Sequence, residues 1–347
     1  MPNATLTQYL LDVAADAPKA GYAHILSAIA VSVKLTAAAV SRGRLIMDGD
    51  ADGATTSDQE VGRRLRRFAS KALLEQTRAI PQLAGVCFAR SAPILGDDPS
   101  ARYLLVVEAL HGPRNLADNL PVGATFSVLE RSADHAPQVS DLLQPGRRQV
   151  CAGIALYGPR TMLVLTTGNG VDGFTLDRDV GNFVLTHPRL RIPPAGRQFT
   201  INAGESPYWP APVKRYVEEC VLGSAGPRGH DFTMRWNASA VVGAYRVLNS
   251  GGLFLVPDTG RPTGWLAPLL HTAGPLALLA EQAGGAASTG TDPILDVVPD
   301  SPQSSVPLFF GDADEVARID AYHAEHAQGY DQVFNHPLFG QRSLFID

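Results

Sequence analysis

Apolar residues recur at spacings of three and four through residues 22–41 and the run closes at Gly43, which predicts a helix. A second helix is predicted from about Glu60 to Arg78. Leu65, Phe68, Ala69, Ala72 and Leu73 line one of its faces, and Arg63, Arg64, Arg66 and Arg67 decorate the rest. The pattern changes at Tyr103. Residues Tyr103–Glu108 are nearly continuously apolar, as in a strand buried on both faces. Further short runs follow at Gly123–Leu129, Val150–Tyr157, Thr161–Thr166, Gly170–Leu176 and Asn182–Thr186, separated by Pro-Gly, Gly-Pro and Gly-Asn-Gly turns. Such close spacing predicts a largely antiparallel or mixed sheet. Helical patterns return at Pro212–Leu222, Asn237–Leu248, Pro275–Ala283 and Asp312–Gln328, with strands predicted at Gly252–Val256 and Leu266–His271. Residues Asp292–Pro307, rich in Pro and Ser, read as a surface loop. Helices first, then strands mixed with helices, predict an α/β (α+β layered) architecture.

Composition narrows the class. The chain has 347 residues, 45% hydrophobic and 18% charged, which suits a globular protein of about two domains or one large unit. A net charge of -5 argues against a nucleic-acid partner, which calls for a basic face. No long uncharged apolar run is apparent, so no membrane association is expected. The first residues carry neither a basic start nor an apolar stretch, so no secretory leader is expected. Cys87, Cys151 and Cys220 are far apart and odd in number, pointing to reduced thiols and a cytoplasmic location.

Generic motifs are weak. Asp48-Gly-Asp50-Ala-Asp52-Gly53 imitates the start of a calcium loop, but the twelfth position is Gln59 rather than Glu, so it reads as an acidic surface loop. No GxGxxG follows a strand, no Walker motif is present, and Gly204-Glu-Ser206-Pro207 lacks the closing glycine of a nucleophile elbow. His323 and His326 lie three apart on the last helix and lack a third ligand. The arginine cluster of the second helix is either a solvated face or an anion site.

Collinear stretches carry more information. Thr5-Leu-Thr-Gln8, Leu142-Leu-Gln-Pro-Gly-Arg147, Ala155-Leu-Tyr-Gly158, Ile201-Asn-Ala-Gly204, Gly226-Pro-Arg-Gly229, Met234-Arg-Trp236, Gly251-Gly-Leu-Phe254, Ala287-Ser-Thr-Gly290 and Pro337-Leu-Phe-Gly340 together resemble class 1 fructose-1,6-bisphosphatase, proteobacterial type. The resemblance covers nearly the whole chain. It implies the sugar-phosphatase fold, with an N-terminal regulatory half over 1–195, a C-terminal substrate half over 196–347, and a homotetramer. It also implies hydrolysis of the 1-phosphate of fructose 1,6-bisphosphate by several magnesium ions held in a nest of carboxylates.

Each motif of that nest is altered here. Lys-Lys-Leu-Asp falls on Arg63-Arg64-Leu65-Arg66, and Ser-Glu-Glu on Phe88-Ala89-Arg90. Asp-Pro-Leu-Asp-Gly-Ser-Ser-Asn falls on Glu108-Ala109-Leu110-His111-Gly112-Pro113-Arg114-Asn115, and Tyr-Glu-Ala-Asn-Pro on His271-Thr272-Ala273-Gly274-Pro275. The acidic positions thus read Arg66, Ala89, Arg90, Glu108, His111 and Thr272. They sum to about +1 with His111 neutral, against about -6 in the family, which removes the basis for a multi-magnesium site. Substrate positions are partly kept. Asn202 matches the substrate-contacting asparagine, Arg235 matches the arginine that reaches the 6-phosphate across a subunit boundary, and Arg114 and Asn115 join them as phosphosugar-binding candidates. The lysine preceding the last motif falls on Leu266 or Trp265. Arg102-Tyr103 stands where the family has Lys-Tyr at its AMP site.

Three readings follow. The first is a pseudoenzyme with no cofactor that binds a sugar phosphate, as a homo-oligomer or paired with an active paralogue; Arg66, Arg90 and Arg114 would meet phosphate directly. The second is a re-made transition-metal site on Glu108, His111 and His271. The third is a working fructose bisphosphatase in which Asp97, Asp98, Asp118 or Asp177 take over as acids.

Overall fold

The computed structural model describes residues 4–16, 20–43, 45, 57–131, 134–262 and 264–330. The acidic Asp48–Gly53 stretch and the Pro337–Gly340 match lie outside them. Three helices come first: α1 (Leu6–Ala15), α2 (Ala20–Arg42) and α3 (Asp58–Thr77). Thr5 and Gln8 form a reciprocal capping box at the start of α1, and the Ser57 hydroxyl accepts from the Glu60 amide at the start of α3. Contrary to the sequence expectation, α2 is long and apolar enough to span a bilayer. Its Ile25, Leu26, Ile29 and Val33 are buried in the protein core, which accounts for its apolar character.

The helices cover one face of an eight-stranded sheet. Its strands are β1 (Leu83–Phe88), β2 (Ile94–Leu95), β3 (Tyr103–His111), β4 (Val122–Glu130), β5 (Gln149–Tyr157), β6 (Thr161–Thr166), β7 (Val171–Asp177) and β8 (Asn182–Leu190). They are ordered β2-β1-β3-β4-β5-β6-β7-β8. All neighbours are antiparallel except β1 and β3. Side chains alternate across the sheet: Val86, Phe88, Leu105 and Val107 face the helices, while Ala84, Cys87, Leu104 and Val106 face away.

The second half supplies α4 (Ala211–Leu222), α5 (Ala240–Ser250), α6 (Gly274–Gln282) and α7 (Ala313–Ala327). Its strands are β9 (Gln198–Thr200), β10 (Thr233–Met234), β11 (Leu253–Val256), β12 (Ala267–Pro268), β13 (Ala286–Ser288), β14 (Ser305–Val306) and β15 (Leu308–Gly311). Five of them form a sheet in the order β10-β9-β11-β15-β13, and β12 pairs with β14. Ile154, Leu156 and Val164 of the first sheet share a core with Val241 and Leu248 of α5, Leu276 of α6 and Phe310 of β15. On the far side of the second sheet, Val213 and Tyr216 of α4 pack with Leu253, Phe309 and Ile319 of α7. The layers are therefore helices, sheet, helices, sheet, helices. Gly252, at φ +86°, lets β11 leave its turn against β9; a Cβ there would lie 2.0 Å from the Gln198 carbonyl oxygen.

Three expectations change. The strand predicted at Leu266–His271 is the two-residue β12 followed by a π turn over Leu269–Ala273. The helix predicted from Asn237 starts at Ala240, because Asn237 and Ser239 bond to the first half instead. The Asp292–Pro307 stretch is not simply superficial: Ile294 and Leu295 are buried in the middle core.

Candidate functional site

The only parallel neighbours of the first sheet, β1 and β3, end side by side. The Ala89 amide donates to the Val107 carbonyl at 2.9 Å, so Ala89 and Arg90 leave β1 beside Glu108. Carboxyl ends of adjacent parallel strands are where open sheets hold ligands. Arg90 turns the chain at φ +69°, in the left-handed region. On β3 a register shift between Glu108 and His111 re-aims the strand end. Gly112, at φ +71°, then opens the short turn Pro113–Leu116. From the helical side, Gly62 of α3 is pressed on this turn, a Cβ there lying 3.1 Å from Pro113 Cβ. Arg66 follows one helical turn later on the same face and is half-buried. The π turn carrying His271 and Thr272 closes the opposite side, and such turns recur at functional sites.

The polar groups at this junction are engaged with one another. The Thr272 hydroxyl donates to Glu108 Oε2 at 3.1 Å, and His111 Nε2 lies 3.9 Å from the same oxygen. His111 Nδ1 is 3.2 Å from the Ser239 hydroxyl, and its ring meets Trp265 edge-on at 5.9 Å. His271 is buried, with Nε2 3.5 Å from Cys87 Sγ, and its carbonyl accepts from the Thr125 hydroxyl. Burial pulls the His271 imidazole down to about 4, against a weaker upward pull from Glu108. Burial pushes the Cys87 thiol up to about 11, so it is an unreactive thiol.

The arginine cluster of α3 divides. Arg63, Arg64 and Arg67 share the Glu60 carboxylate at 2.9, 3.2 and 3.1 Å. Arg66 has no carboxylate within ion-pairing distance among the described residues. Burial first, then the charge of Arg90, lowers its guanidinium from the usual range, with Glu108 opposing. Arg114 is exposed on the Pro113–Leu116 turn, while Asn115 is buried and donates to the Pro121 carbonyl at 3.1 Å and to Asn237 Oδ1 at 3.0 Å.

Through Asn237 and Ser239 this junction is tied to a second one. Asn202, at the end of β9, caps the turn Ala203–Tyr208, its side-chain oxygen accepting from the Gly204 amide at 3.2 Å. Arg235 is exposed just past β10, and its carbonyl accepts from Arg246 Nη1 at 2.9 Å. Burial and the Arg235 charge lower the Arg246 guanidinium. Sequence reasoning missed Arg246; only the docking of α5, which brings its guanidinium to the Arg235 carbonyl and near the Thr200 hydroxyl, reveals the proximity. The segment from Arg235 to Ser239 thus runs from Arg246 to Asn115 and His111.

Two family models match the chain: the fructose-1,6-bisphosphatase N-terminal domain over residues 4–188 and its C-terminal domain over residues 192–324. A protein called fructose-1,6-bisphosphatase class 1 from Methylacidiphilum infernorum (isolate V4) is 42% identical over 329 residues, 92% of each chain. This chain belongs to the class 1 fructose-1,6-bisphosphatase family. The crystal structure of Leishmania major fructose-1,6-bisphosphatase in holo form agrees at TM-score 0.82 and 28% identity, over 92% of this chain and 99% of that one. The layered fold predicted from the sequence is therefore the fold of this family.

The donor set of this fructose-1,6-bisphosphatase homologue does not fit magnesium. Hard dications need several oxygen ligands, and the junction offers one carboxylate, already bonded to Thr272, facing two guanidiniums. Nor does it fit a re-made transition-metal centre: among the described residues no three His, Cys, Asp or Glu side chains are placed to share an ion. Glu108 and His111 approach each other, but the ring nitrogen of His271 faces Cys87. The candidate substitute acids form no metal-holding group with Glu108 among the described residues. Asp98 accepts from the Ser100 amide and hydroxyl at 2.8 and 2.7 Å, and Asp97 and Asp118 are exposed. Asp177 sits at the end of β7, four strands or roughly 19 Å from β3. Neither position that could match the family lysine carries a charge: Leu266 is half-buried, and Trp265 meets the His111 ring edge-on. The Arg102–Tyr103 pair is occupied internally. Arg102 pairs with Glu130, and the buried Tyr103 ring lies under Gly21 and against Tyr22 at 5.9 Å.

Proposed function

We propose that this family member binds a phosphorylated sugar of fructose 1,6-bisphosphate type and does not hydrolyse it by the magnesium-dependent route. One observation carries the reading. Of the six positions that should be carboxylates only Glu108 remains, and it is bonded to Thr272 beside a half-buried arginine. Phosphoryl transfer in this family depends on cations neutralising the moving group and activating water, and a single carboxylate is too few oxygen ligands to hold several of them. Asn202, with Arg235 reaching across a subunit boundary, would hold the 6-phosphate end; the exposed Arg114 stands ready for phosphate, while buried Asn115 braces the turn through Pro121 and Asn237. Reduced, buried Cys87, Cys151 and Cys220 suit a cytoplasmic protein of carbohydrate metabolism. Assembly as a homotetramer, or with an active paralogue, is part of the proposal, and the exposed Met234 and Trp236 beside Arg235 suit a subunit contact.

One observation favours a second reading, an active fructose 1,6-bisphosphate 1-phosphatase of gluconeogenesis or the Calvin cycle. It is the 42% identity to a protein of that name, which fits retained activity at least as well as its loss. A phosphate-release assay with fructose 1,6-bisphosphate across magnesium, manganese and zinc separates the two. The first reading expects no release above background. Turnover approaching about 10 per second, typical of enzymes, establishes the second.

A further inference from the structure

We infer that Arg66 and Arg90 form a direct subsite for a phosphate monoester at the carboxyl ends of β1 and β3, where the family places carboxylate-held cations. This rests on the reading that the cleft binds a phosphorylated sugar, and it specifies which group takes the second phosphate.

Geometry brings the two arginines together from opposite sides. Arg66 lies on the face of α3 that Gly62 presses on Pro113, and Arg90 leaves β1 where Ala89 bonds to Val107, next to Glu108. Glu60 gathers Arg63, Arg64 and Arg67 and leaves Arg66 apart. Among the described residues no carboxylate lies within ion-pairing distance of Arg66 or Arg90. The charge of the exposed Arg90 acts on the half-buried Arg66, and two such guanidiniums repel each other less when an anion lies between them. The planar fork of a guanidinium matches the oxygens of a phosphate, and partial burial strengthens the contact. Glu108 does not take that role, because its Oε2 is bonded to Thr272 and approached by His111. The other arginine pair, Arg235 and Arg246, stands at the far end of the segment that returns through Asn237 and Ser239 to Asn115 and His111. With Asn202 and, from across a subunit boundary, Arg235 as the 6-phosphate candidates, a sugar carrying phosphates at both ends engages both subsites, and a monophosphate engages only one.

Calorimetric titration in EDTA of the whole protein with fructose 1,6-bisphosphate and with fructose 6-phosphate tests this, using the wild type and the Arg66→Ala/Arg90→Ala double variant. The wild type is expected to bind the bisphosphate without a divalent cation and more tightly than the monophosphate. The double variant should bind the bisphosphate at least about tenfold more weakly, since charge-assisted hydrogen bonds are lost, with its fructose 6-phosphate affinity unchanged. Equal bisphosphate affinity in the two proteins would overturn the subsite and leave the general reading intact. No bisphosphate binding by the wild type would overturn both. Unchanged fructose 6-phosphate binding by the double variant also shows that it is folded. If both ligands weaken alike, an Arg66→Lys/Arg90→Lys protein decides: restored bisphosphate preference upholds the subsite, and its absence sinks it.

Discussion

At the scale of single residues, the cleft holds several side chains in states their neighbours impose. His271 is neutral because burial lowers it to about 4, below the ordinary value of 6.5. The folded protein therefore binds fewer protons there than the unfolded chain. The associated stability is fully present above pH 6.5 and is lost as the pH falls from 6.5 to 4. A shift of this size corresponds to an effect on the order of 3 kcal/mol for a buried group. Denaturant unfolding at pH 7 and pH 4.5 should show a larger acid loss in the wild type than in His271→Gln; equal losses would contradict the assignment. Arg90 is held at φ +69°, a conformation that costs a non-glycine residue roughly 1 kcal/mol. Arg90→Gly is expected to raise unfolding stability by up to about 1 kcal/mol while weakening bisphosphate binding. A stabilising change that removes binding is the mark of a residue kept for its ligand.

At the scale of elements, two contacts between helices and the rest carry testable weight. Glu315 of α7 accepts from the Tyr216 hydroxyl at 2.6 Å and pairs with Arg228, whose side chain is 3% exposed. Glu315→Ala would strand that guanidinium in the interior, and denaturant unfolding should show a loss of about 3–5 kcal/mol. At the start of α2 the approach to Tyr103 is so close that a Cβ on Gly21 would sit 2.5 Å from the ring. Gly21→Ala should lower stability by about 1–3 kcal/mol, read by thermal and denaturant unfolding together. Elements with strong patterns were legible in advance. Helix α2 was predicted over 22–41 and spans Ala20–Arg42, and Thr161–Thr166 is the strand its continuous apolar run predicts. Short elements were not. Leu83–Phe88 carries a glycine and too few residues to show a period, and β9 and β10 gain their pairing only from the second sheet. The predicted strand over Leu266–His271 failed because its apolar residues are buried by a π turn, and an apolar run alone does not distinguish the two.

At the scale of the whole molecule, the family scaffold persists around a changed centre. The parallel β1–β3 pair and the return from Arg235 to Ser239 meet where Asn115 bonds to Asn237 and His111 to Ser239. That five of the six family carboxylate positions carry other residues is read from the motifs alone. Two arrangements were not legible there, because each joins residues far apart in the chain: the Thr272–Glu108 bond and the Cys87–His271 contact. The central claim is that this cleft takes phosphate with arginines and holds no dications. Its most direct test is a manganese(II) titration followed by electron paramagnetic resonance, with fructose 1,6-bisphosphate present at saturation. The account predicts that the free-manganese signal matches a protein-free control containing the same sugar. Stoichiometric loss of that signal, reversed by added magnesium, would contradict it.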